Sequence, residues 1–262
     1  MSKYYKPHRN PDWNYGGKNF RLSRSKIDLF IGCPRCFYLD AKLGVAQPPG
    51  FPLTLNIAVD ELLKKEFDVH RAEGTKHPFM ETYGIDAVPF MHEEMDKWRD
   101  ALRYGVEYTH PETGLPVRGG VDDVWVNPKG ELIVVDYKAT AKRDEVSLDG
   151  DLGAQYKRQM EVYQWLLRRN GFKVSDLGYF VYVNGNKDAP AFDKKLEFDV
   201  VILPCEGDDS WVEPTLLKIK ETLERDEIPE RGEDCEYCDY REAVEKVSKK
   251  SRGEKPLPGS LF

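Results

Sequence analysis

The chain has 262 residues, enough to bury the core of one large domain with added modules, and its formal net charge is -7. A pI of about 5.4 argues against a protein that coats nucleic acid through bulk positive charge, although it allows a local basic groove. No apolar run reaches the roughly 18 residues of a membrane span, and the polar start lacks the apolar stretch of a secretory signal. We therefore expect a cytoplasmic protein.

The chain divides into three segments by composition. We predict a flexible N-terminal arm over residues 1–22, one domain over residues 23–245, and a disordered tail rich in Lys, Gly and Pro over residues 246–262. Inside the domain, the apolar spacing predicts a short helix after Ser23 or Ser25 and an amphipathic helix that begins near Leu55. The remaining predicted elements are, in chain order, a helix over about 93–104, a strand-turn-strand unit over 117–138, a helix over about 151–170 that stops at Gly171, strands over 179–183 and 198–203, and a helix over 211–225.

The strand-turn-strand unit carries the main candidate site. Side chains alternate along a strand, so Asp136 and Lys138 project side by side on one face. Which of Asp122 and Asp123 joins them depends on the turn, Asn-Pro-Lys-Gly at residues 127–130.

The composition of this turn predicts the register of the two strands. Proline suits the second position of a type I turn and glycine the left-handed position after it, which together form a three-residue loop with a bulge. That loop sets three pairs of residues opposite each other: Asn127 and Glu131, Asp122 and Asp136, and Gly120 and Lys138. A two-residue loop would put Asp123 on the shared face instead. We predict Asp122, with Gly120 leaving room beside Lys138.

Two carboxylates on one face suit a hard cation such as Mg²⁺ or Mn²⁺. Such a metal polarises a phosphodiester and helps to generate a hydroxide nucleophile, and Lys138 would orient that water or neutralise charge on the phosphate. The competing interpretation is an ordinary hairpin whose polar residues face solvent or form an ion pair.

Three motifs in this order resemble a known family. Gly120-Val121-Asp122, Asp136-Tyr137-Lys138 and Gln159-Met160-Glu161-Val162-Tyr163 are similar to the PD-(D/E)XK nuclease superfamily, specifically its RecB-like branch, and the resemblance runs from Ser25 to Cys238. This branch includes CRISPR-associated adaptation exonucleases and the nuclease domains of recombination helicases. The resemblance implies an α/β fold with a central mixed sheet flanked by helices. It also implies that Asp122 and Asp136 bind metal, that the Tyr137 carbonyl adds a ligand, and that Lys138 is catalytic.

Two further elements match the branch. Gln159 and Tyr163 are four residues apart, so on a helix they share a face and would contact substrate or support the site, although such a pair also occurs as surface decoration. Asp60 stands where the branch usually has a metal-binding His. An Asp offers an oxygen ligand to the same hard cation, and the alternative is a solvated acid beside Glu61.

Four of the five cysteines form two pairs, Cys33 with Cys36 and Cys235 with Cys238. In a cytosolic chain a disulfide framework is not expected, and two C-x-x-C pairs can complete a four-thiolate shell. Spacing alone favours zinc, whereas many RecB-like nucleases hold a 4Fe-4S cluster through one N-terminal and three C-terminal cysteines. The resemblance therefore favours a 4Fe-4S cluster with zinc as the alternative, and either centre would act as a staple between the N- and C-terminal regions. We interpret Cys205 as a core or surface thiol.

We weigh three functions. The first is a DNA exonuclease or endonuclease that acts in repair, recombination or CRISPR adaptation. The second is a non-catalytic nucleic-acid-binding module, suggested by Asp60 and the acidic charge. The third is a metal-stapled scaffold that docks a partner, since the end of the chain, Pro258–Phe262, faintly resembles peptides that bind sliding clamps. The chain has neither helicase motifs nor a phosphate-binding G-x-x-x-x-G-K-[ST] loop, so a motor would be a separate helicase partner.

Overall fold

A computed structural model describes residues 10–48, 50 and 54–251, and the chain divides into two compact units. The larger unit comprises Arg21–Ser25 and Gly50–Leu217, and the smaller one Met1–Phe20, Lys26–Pro49 and Lys218–Phe262. Across the described ranges, no helix is both long and apolar enough to span a membrane.

Helices and strands come in consecutive groups along the chain. The helices are α1 Asn10–Trp13, α2 Arg24–Gly32, α3 Pro34–Ala41, α4 Thr54–Glu73, α5 Pro78–Thr82, α6 Met95–Arg99, α7 Gly150–Arg169, α8 Val212–Glu224 and α9 Glu236–Ser251, with a short 3-10 helix at Asp209–Trp211. The strands are β1 Leu22–Ser23, β2 Val88–Pro89, β3 Val106–Thr109, β4 Pro116–Gly119, β5 Asp123–Val126, β6 Leu132–Thr140, β7 Leu177–Gly185 and β8 Phe198–Glu206.

The larger unit contains two sheets. Five strands form a mixed sheet in the order β2-β5-β6-β7-β8, in which only β6 and β7 run parallel, and this confirms the predicted central mixed sheet flanked by helices. A second, three-stranded sheet has the order β1-β4-β3 and was not predicted. The segment that we interpreted as one strand before the turn is therefore two strands, β4 and β5, in different sheets.

Gly120 lies at the break between these two strands, and our explanation for it was wrong. A Cβ on Gly120 would collide with the Cβ and backbone of Ala101. The glycine therefore allows the chain to pass close to Ala101, and the β5–β6 ladder ends at Asp123 before it reaches the position opposite Lys138.

Helices α4 and α7 cover opposite faces of the five-stranded sheet. Leu63 and Phe67 of α4 belong to one apolar core with Val135 and Tyr137 of β6, and the rings of Phe67 and Trp125 stack with centroids 5.5 Å apart. Helix α7 contacts β6 as well, and its Gln159 reaches Asp136, the residue between Val135 and Tyr137. Because neighbouring strand residues point to opposite faces, α7 lies on the face away from α4.

The predicted ends of the domain need correction. Within the expected flexible arm, Phe20 is buried and Leu22 pairs with Val117 in a parallel bridge, while residues 1–9 lie outside the described residues. Single apolar residues such as these carry no periodicity, so the sequence offered no signal for their burial. Helix α9 continues through residues 246–251, which we expected to be disordered, and residues 252–262, including Pro258–Phe262, lie outside the described residues.

Helix α6 is shorter than the predicted helix over 93–104 and ends at Arg99. The Asp100 side chain accepts a hydrogen bond from the Arg103 amide at 3.0 Å, and this local turn replaces the next helical turn. Short polar side chains commonly end helices in this way.

The predicted hairpin register is confirmed. Asp123 pairs with Val135 and Val126 with Leu132, which is the predicted register, and the ladder ends at Asp123, one residue before the predicted pair of Asp122 and Asp136. The Asn127 amide donates to the Glu131 carbonyl at 3.0 Å, which closes the three-residue loop.

Gly130 should be the residue on which this loop depends, because its φ of 72° is costly for a side chain with a Cβ. We expect Gly130→Ala to lower the free energy of unfolding by about 1 kcal/mol. Gly130→Asn should lose less, because Asn tolerates the left-handed region better. Urea denaturation of both variants tests this, and equal stability of Gly130→Ala and the wild type would contradict it.

Candidate functional site

Asp136 is the most buried acid of the candidate site. Its side chain is fully buried in the middle of β6, where Gln159 donates a hydrogen bond to Oδ1 at 2.7 Å and Lys138 forms an ion pair with Oδ2. Burial raises the pKa of Asp136 to about 7, and the charge of Asp122 adds to this, although Lys138 opposes it. The structure thus brings together the acid and the amine that we predicted on one face.

Asp122 and Asp60 approach each other through a lysine that the sequence did not single out. Lys64 Nζ lies 2.7 Å from Asp60 Oδ2 and 3.6 Å from Asp122 Oδ1, while Asp122 Oδ2 accepts a hydrogen bond from the Tyr137 amide at 3.0 Å. Burial raises the pKa of Asp60, and the negative charge of Asp122 raises it further. Asp60 is therefore no isolated surface acid, because it feels the charge of the predicted ligand Asp122.

Asp123 points to the other face of the sheet and is held there by buried partners. Its carboxylate forms ion pairs with Arg71 and, at 3.0 Å, with Arg99, and it accepts a hydrogen bond from the Tyr137 hydroxyl at 2.8 Å. Asp123 is fully buried, so these partners replace the water that the carboxylate loses. This arrangement separates a structural acid, Asp123, from the candidate ligand Asp122.

Gln159 and Tyr163 share a face of α7, as predicted, and both are buried. Gln159 Nε2 lies 3.0 Å from the Tyr163 hydroxyl oxygen as well as contacting Asp136. Gly119 makes room for this pair, because a Cβ on it would lie 2.6 Å from the Tyr163 ring. Gln159 therefore links Tyr163 to the Asp136 carboxylate. Because both residues are buried, the alternative of an exposed pair on the helix surface is wrong.

A cavity of about 260 Å³ opens beside these residues. Its lining includes the predicted residues Asp60, Tyr137, Lys138 and Gln159. It also includes three residues that the sequence analysis did not assign to the site: Arg24, Asn56 and Tyr156. The spacing of Tyr156, three residues before Gln159 on the same helix face, could have revealed it, whereas nothing local points to Arg24.

The donor set beside the cavity fits a hard divalent cation. Asp60, Asp122 and Asp136 offer carboxylate oxygens, and the Tyr137 carbonyl is a further oxygen donor, which are the ligands that Mg²⁺ and Mn²⁺ take. Lysines contact all three carboxylates here, so the acids are not gathered as closely as ligands around an ion. In the described part of the chain, only the four cysteines bring three or more ligand atoms within 4.8 Å of one another.

The four paired cysteines form a compact group in the smaller unit. The Sγ atoms are 3.8 Å apart for Cys33 and Cys238, 3.6 Å for Cys36 and Cys235, and 3.7 Å for Cys36 and Cys238. Four thiolates bound at about 2.3 Å to one tetrahedral ion would be about 3.8 Å apart. Cys205 is buried in β8 and takes no part in this group, in agreement with its interpretation as a core thiol.

Backbone amides support the first cysteine of this group. Cys33 Sγ accepts hydrogen bonds from the amides of Gly232 at 3.2 Å and Cys36 at 3.4 Å. Burial alone would raise the pKa of Cys33, but these bonds outweigh it and lower the pKa from 9.0 to about 7. Gly232 is needed for the approach, because a Cβ there would collide with the Gly32 carbonyl. The thiolate form, which is the metal-binding form, is thus favoured at Cys33.

The spacing of the sulfurs bears on the two centres that the sequence left open, zinc and a 4Fe-4S cluster. In a 4Fe-4S cluster each cysteine binds a different iron, so its sulfurs lie farther apart than those sharing one ion. Four sulfurs that all lie within 4.8 Å of one another could hold a metal ion.

We predict that mutation of the two neighbouring acids lowers the free energy of unfolding by different amounts. Asp123→Asn should lower the free energy of unfolding by about 3–5 kcal/mol, because it leaves the buried Arg71 and Arg99 without their anionic partner. Asp122→Asn, which changes a partly exposed carboxylate, should cost about 1 kcal/mol or less. Urea denaturation of both variants tests the assignment, and a larger loss in Asp122→Asn would reverse it.

Comparisons with known proteins identify the family of the chain. A family model described as the PD-(D/E)XK nuclease superfamily matches residues 21–243. None of the curated proteins matches the chain. A solved structure titled "Crystal structure of SSO0001" has 15% sequence identity, covers 91% of this chain and 90% of that chain, and gives a TM-score of 0.43, which is too low to support an argument. Since the family model covers most of its length, the chain belongs to the PD-(D/E)XK nuclease superfamily.

Proposed function

We propose that the chain is a nuclease of the RecB-like branch that uses Mg²⁺ or Mn²⁺ to hydrolyse phosphodiester bonds in DNA. The observation that carries this proposal is the group formed by Asp122, Asp136 and Lys138, in which two carboxylates and an amine meet beside an open cavity. Membership of a nuclease superfamily supports it.

Each residue of this group has a separate task in the proposal. Asp60, Asp122, Asp136 and the Tyr137 carbonyl would hold the metal, which supplies Lewis acidity and a water of lowered pKa when bound. Gln159 keeps the Asp136 carboxylate oriented, with Tyr163 behind it.

Lys138 is positioned by aromatic rings as well as by its ion pair. Its Nζ lies 4.6 Å from the ring centroid of Tyr156 and 5.8 Å from that of Phe180. The amine is therefore held at the mouth of the cavity, where it would orient the attacking water or neutralise charge that develops on the phosphate.

The biological setting follows from the branch. In the proposal the enzyme acts in the cytoplasm as an exonuclease or endonuclease in DNA repair, recombination or CRISPR adaptation. A helicase or other recombination protein would act as a separate partner. Docking of a sliding clamp through Pro258–Phe262 stays a prediction from the sequence.

Replacing Lys138 should slow cleavage strongly, and thermal unfolding of the variant checks its fold, because Lys138 is the ion-pair partner of the buried Asp136. We expect wild-type protein to cleave labelled DNA in Mg²⁺ or Mn²⁺ but not in EDTA, and Lys138→Ala to be slower by about 10²- to 10³-fold. The assay compares single-stranded DNA, duplex DNA and RNA. Lys129→Ala is the matched control, because Lys129 is exposed in the turn about 20 Å along the strand from Lys138.

Two outcomes would overturn the nuclease proposal. One is an absence of cleavage by metal-loaded wild-type protein on all three substrates. The other is unchanged cleavage by Lys138→Ala. Binding of DNA without turnover would instead select the non-catalytic binding module.

We also propose that the four-cysteine group holds one zinc ion that serves a structural purpose. The spacing of the sulfurs supports this choice over a 4Fe-4S cluster, because sulfurs about 3.8 Å apart match one tetrahedral ion. The ion would tie the N-terminal pair of cysteines to the C-terminal pair and so restrict the unfolded chain.

Purified protein should contain one zinc ion per chain and should lack the broad visible absorption of an iron–sulfur cluster. At a free zinc concentration a thousandfold above Kd, bound zinc should stabilise the folded protein by about 4 kcal/mol. Removing the zinc with a chelator should lower the free energy of unfolding by this amount. Cys235→Ser should lose both zinc and thermal stability, whereas Cys205→Ser, a buried cysteine outside the group, should keep its zinc. Elemental analysis and thermal unfolding measure these effects, and iron with acid-labile sulfide would refute the zinc assignment.

A further inference from the structure

Arg24 is a cation of the cavity without an assigned task. It is the first residue of α2, it is partly buried, and it lines the cavity together with Asp60, Lys138 and Gln159. Within the described residues, its guanidinium forms no hydrogen bond or ion pair.

Other arginines of the larger unit show what a structural role looks like. Arg71 and Arg99, with side chains 5% and 9% exposed, are bound by Asp68 and Asp123. Arg168 is paired with Asp176 and with Asp209. Among the described residues Arg24 has no carboxylate of this kind, so its guanidinium donors are available to a ligand in the cavity that it lines.

A strand phosphate is the ligand that matches this donor. A guanidinium presents a planar fork that binds two oxygens of a phosphate at once, and a partly desolvated site strengthens such charge-assisted bonds. The cavity is also lined by Lys138 and Asp60, and Lys138 contacts Asp136, all three of which would act on a phosphodiester in the proposed function. If Lys138 contacts the phosphate that is cleaved, a neighbouring phosphate of the same strand could reach Arg24, which lines the same cavity.

We propose that Arg24 binds a phosphate of the substrate strand next to the phosphodiester that is cleaved. This inference rests on the proposed nuclease function and assigns Arg24 to substrate positioning. It follows that Arg24 contributes mainly to substrate affinity, whereas Lys138 contributes mainly to the rate of the chemical step.

The first test compares Arg24→Ala, Arg24→Lys and the wild type on the same labelled oligonucleotide. We expect Arg24→Ala to raise KM about tenfold with a much smaller change in kcat, and to reduce the slope of log Kd against log salt by about 1. Arg24→Lys should recover part of the affinity, because it keeps the charge but not the fork.

Arg169→Ala is the matched control and should leave KM unchanged. Arg169 is partly exposed, pairs with Glu213, and lies ten residues beyond Gln159 on α7, about 15 Å along the helix axis. An equal rise in KM in both variants would indicate a loss of general positive charge and would overturn the inference. Loss of kcat alone in Arg24→Ala would also overturn it.

The second test changes the substrate instead of the protein. Single linkages of the oligonucleotide are replaced by neutral methylphosphonates, one at a time, and binding is measured in Ca²⁺. At one position beside the cleaved bond, the replacement should weaken binding to the wild type about tenfold and have no further effect on Arg24→Ala. Equal losses in both proteins at every position would contradict the contact.

The failure of this inference can be separated from the failure of the proposed function. If the wild type cleaves and Arg24→Ala has an unchanged KM, only the inference on Arg24 fails. If the wild type binds the oligonucleotide without cleaving it, the nuclease proposal fails, while the methylphosphonate measurement still decides the contact. If the wild type neither binds nor cleaves, both fail.

Discussion

The buried ion pairs of Asp123 hold the two central strands in the relation on which the candidate site depends. Asp123 is tied to Arg71 and Arg99 and to the hydroxyl of Tyr137, all on the α4 face of the sheet. Because neighbouring strand residues alternate, fixing Asp123 on this face turns Asp122 toward the other. If β5 shifted by one residue along β6, the buried Arg71 and Arg99 would lose their carboxylate partner and Asp122 would leave the site. The ion pairs of Asp123 therefore stabilise both the fold and the geometry of the site.

The candidate site contains carboxylates whose charged form is disfavoured by burial. Asp136 has no exposed surface, and each of its two carboxylate oxygens has a partner: Gln159 contacts Oδ1 and Lys138 contacts Oδ2. Lys64 performs a similar task for Asp60 and Asp122. Each of these contacts compensates part of the desolvation penalty of a carboxylate. In the proposed function, each would change as a divalent ion and a phosphate bind beside the cavity.

The starts of two helices bring the four cysteines of the smaller unit together. Helix α3 begins at Pro34, so Cys33 is its N-cap and the first turn brings Cys36 back toward it. The second pair flanks the start of α9, which repeats this arrangement. Two short helical turns thus present four sulfurs at the spacing of one tetrahedral shell, and the side chains need little further ordering to bind an ion.

Local patterns in the sequence determined the hairpin, its register, the pair Gln159 and Tyr163, and the pairing of the cysteines. Each of these depends on residues within one turn, one helix face or one strand, where spacing translates directly into geometry. Tertiary structure alone decided the second sheet, the partners of Asp123, the distances between the sulfurs, and the arrival of Arg24 at the cavity. These features join residues that are tens to hundreds of positions apart, and no local period records which distant side chain will meet which.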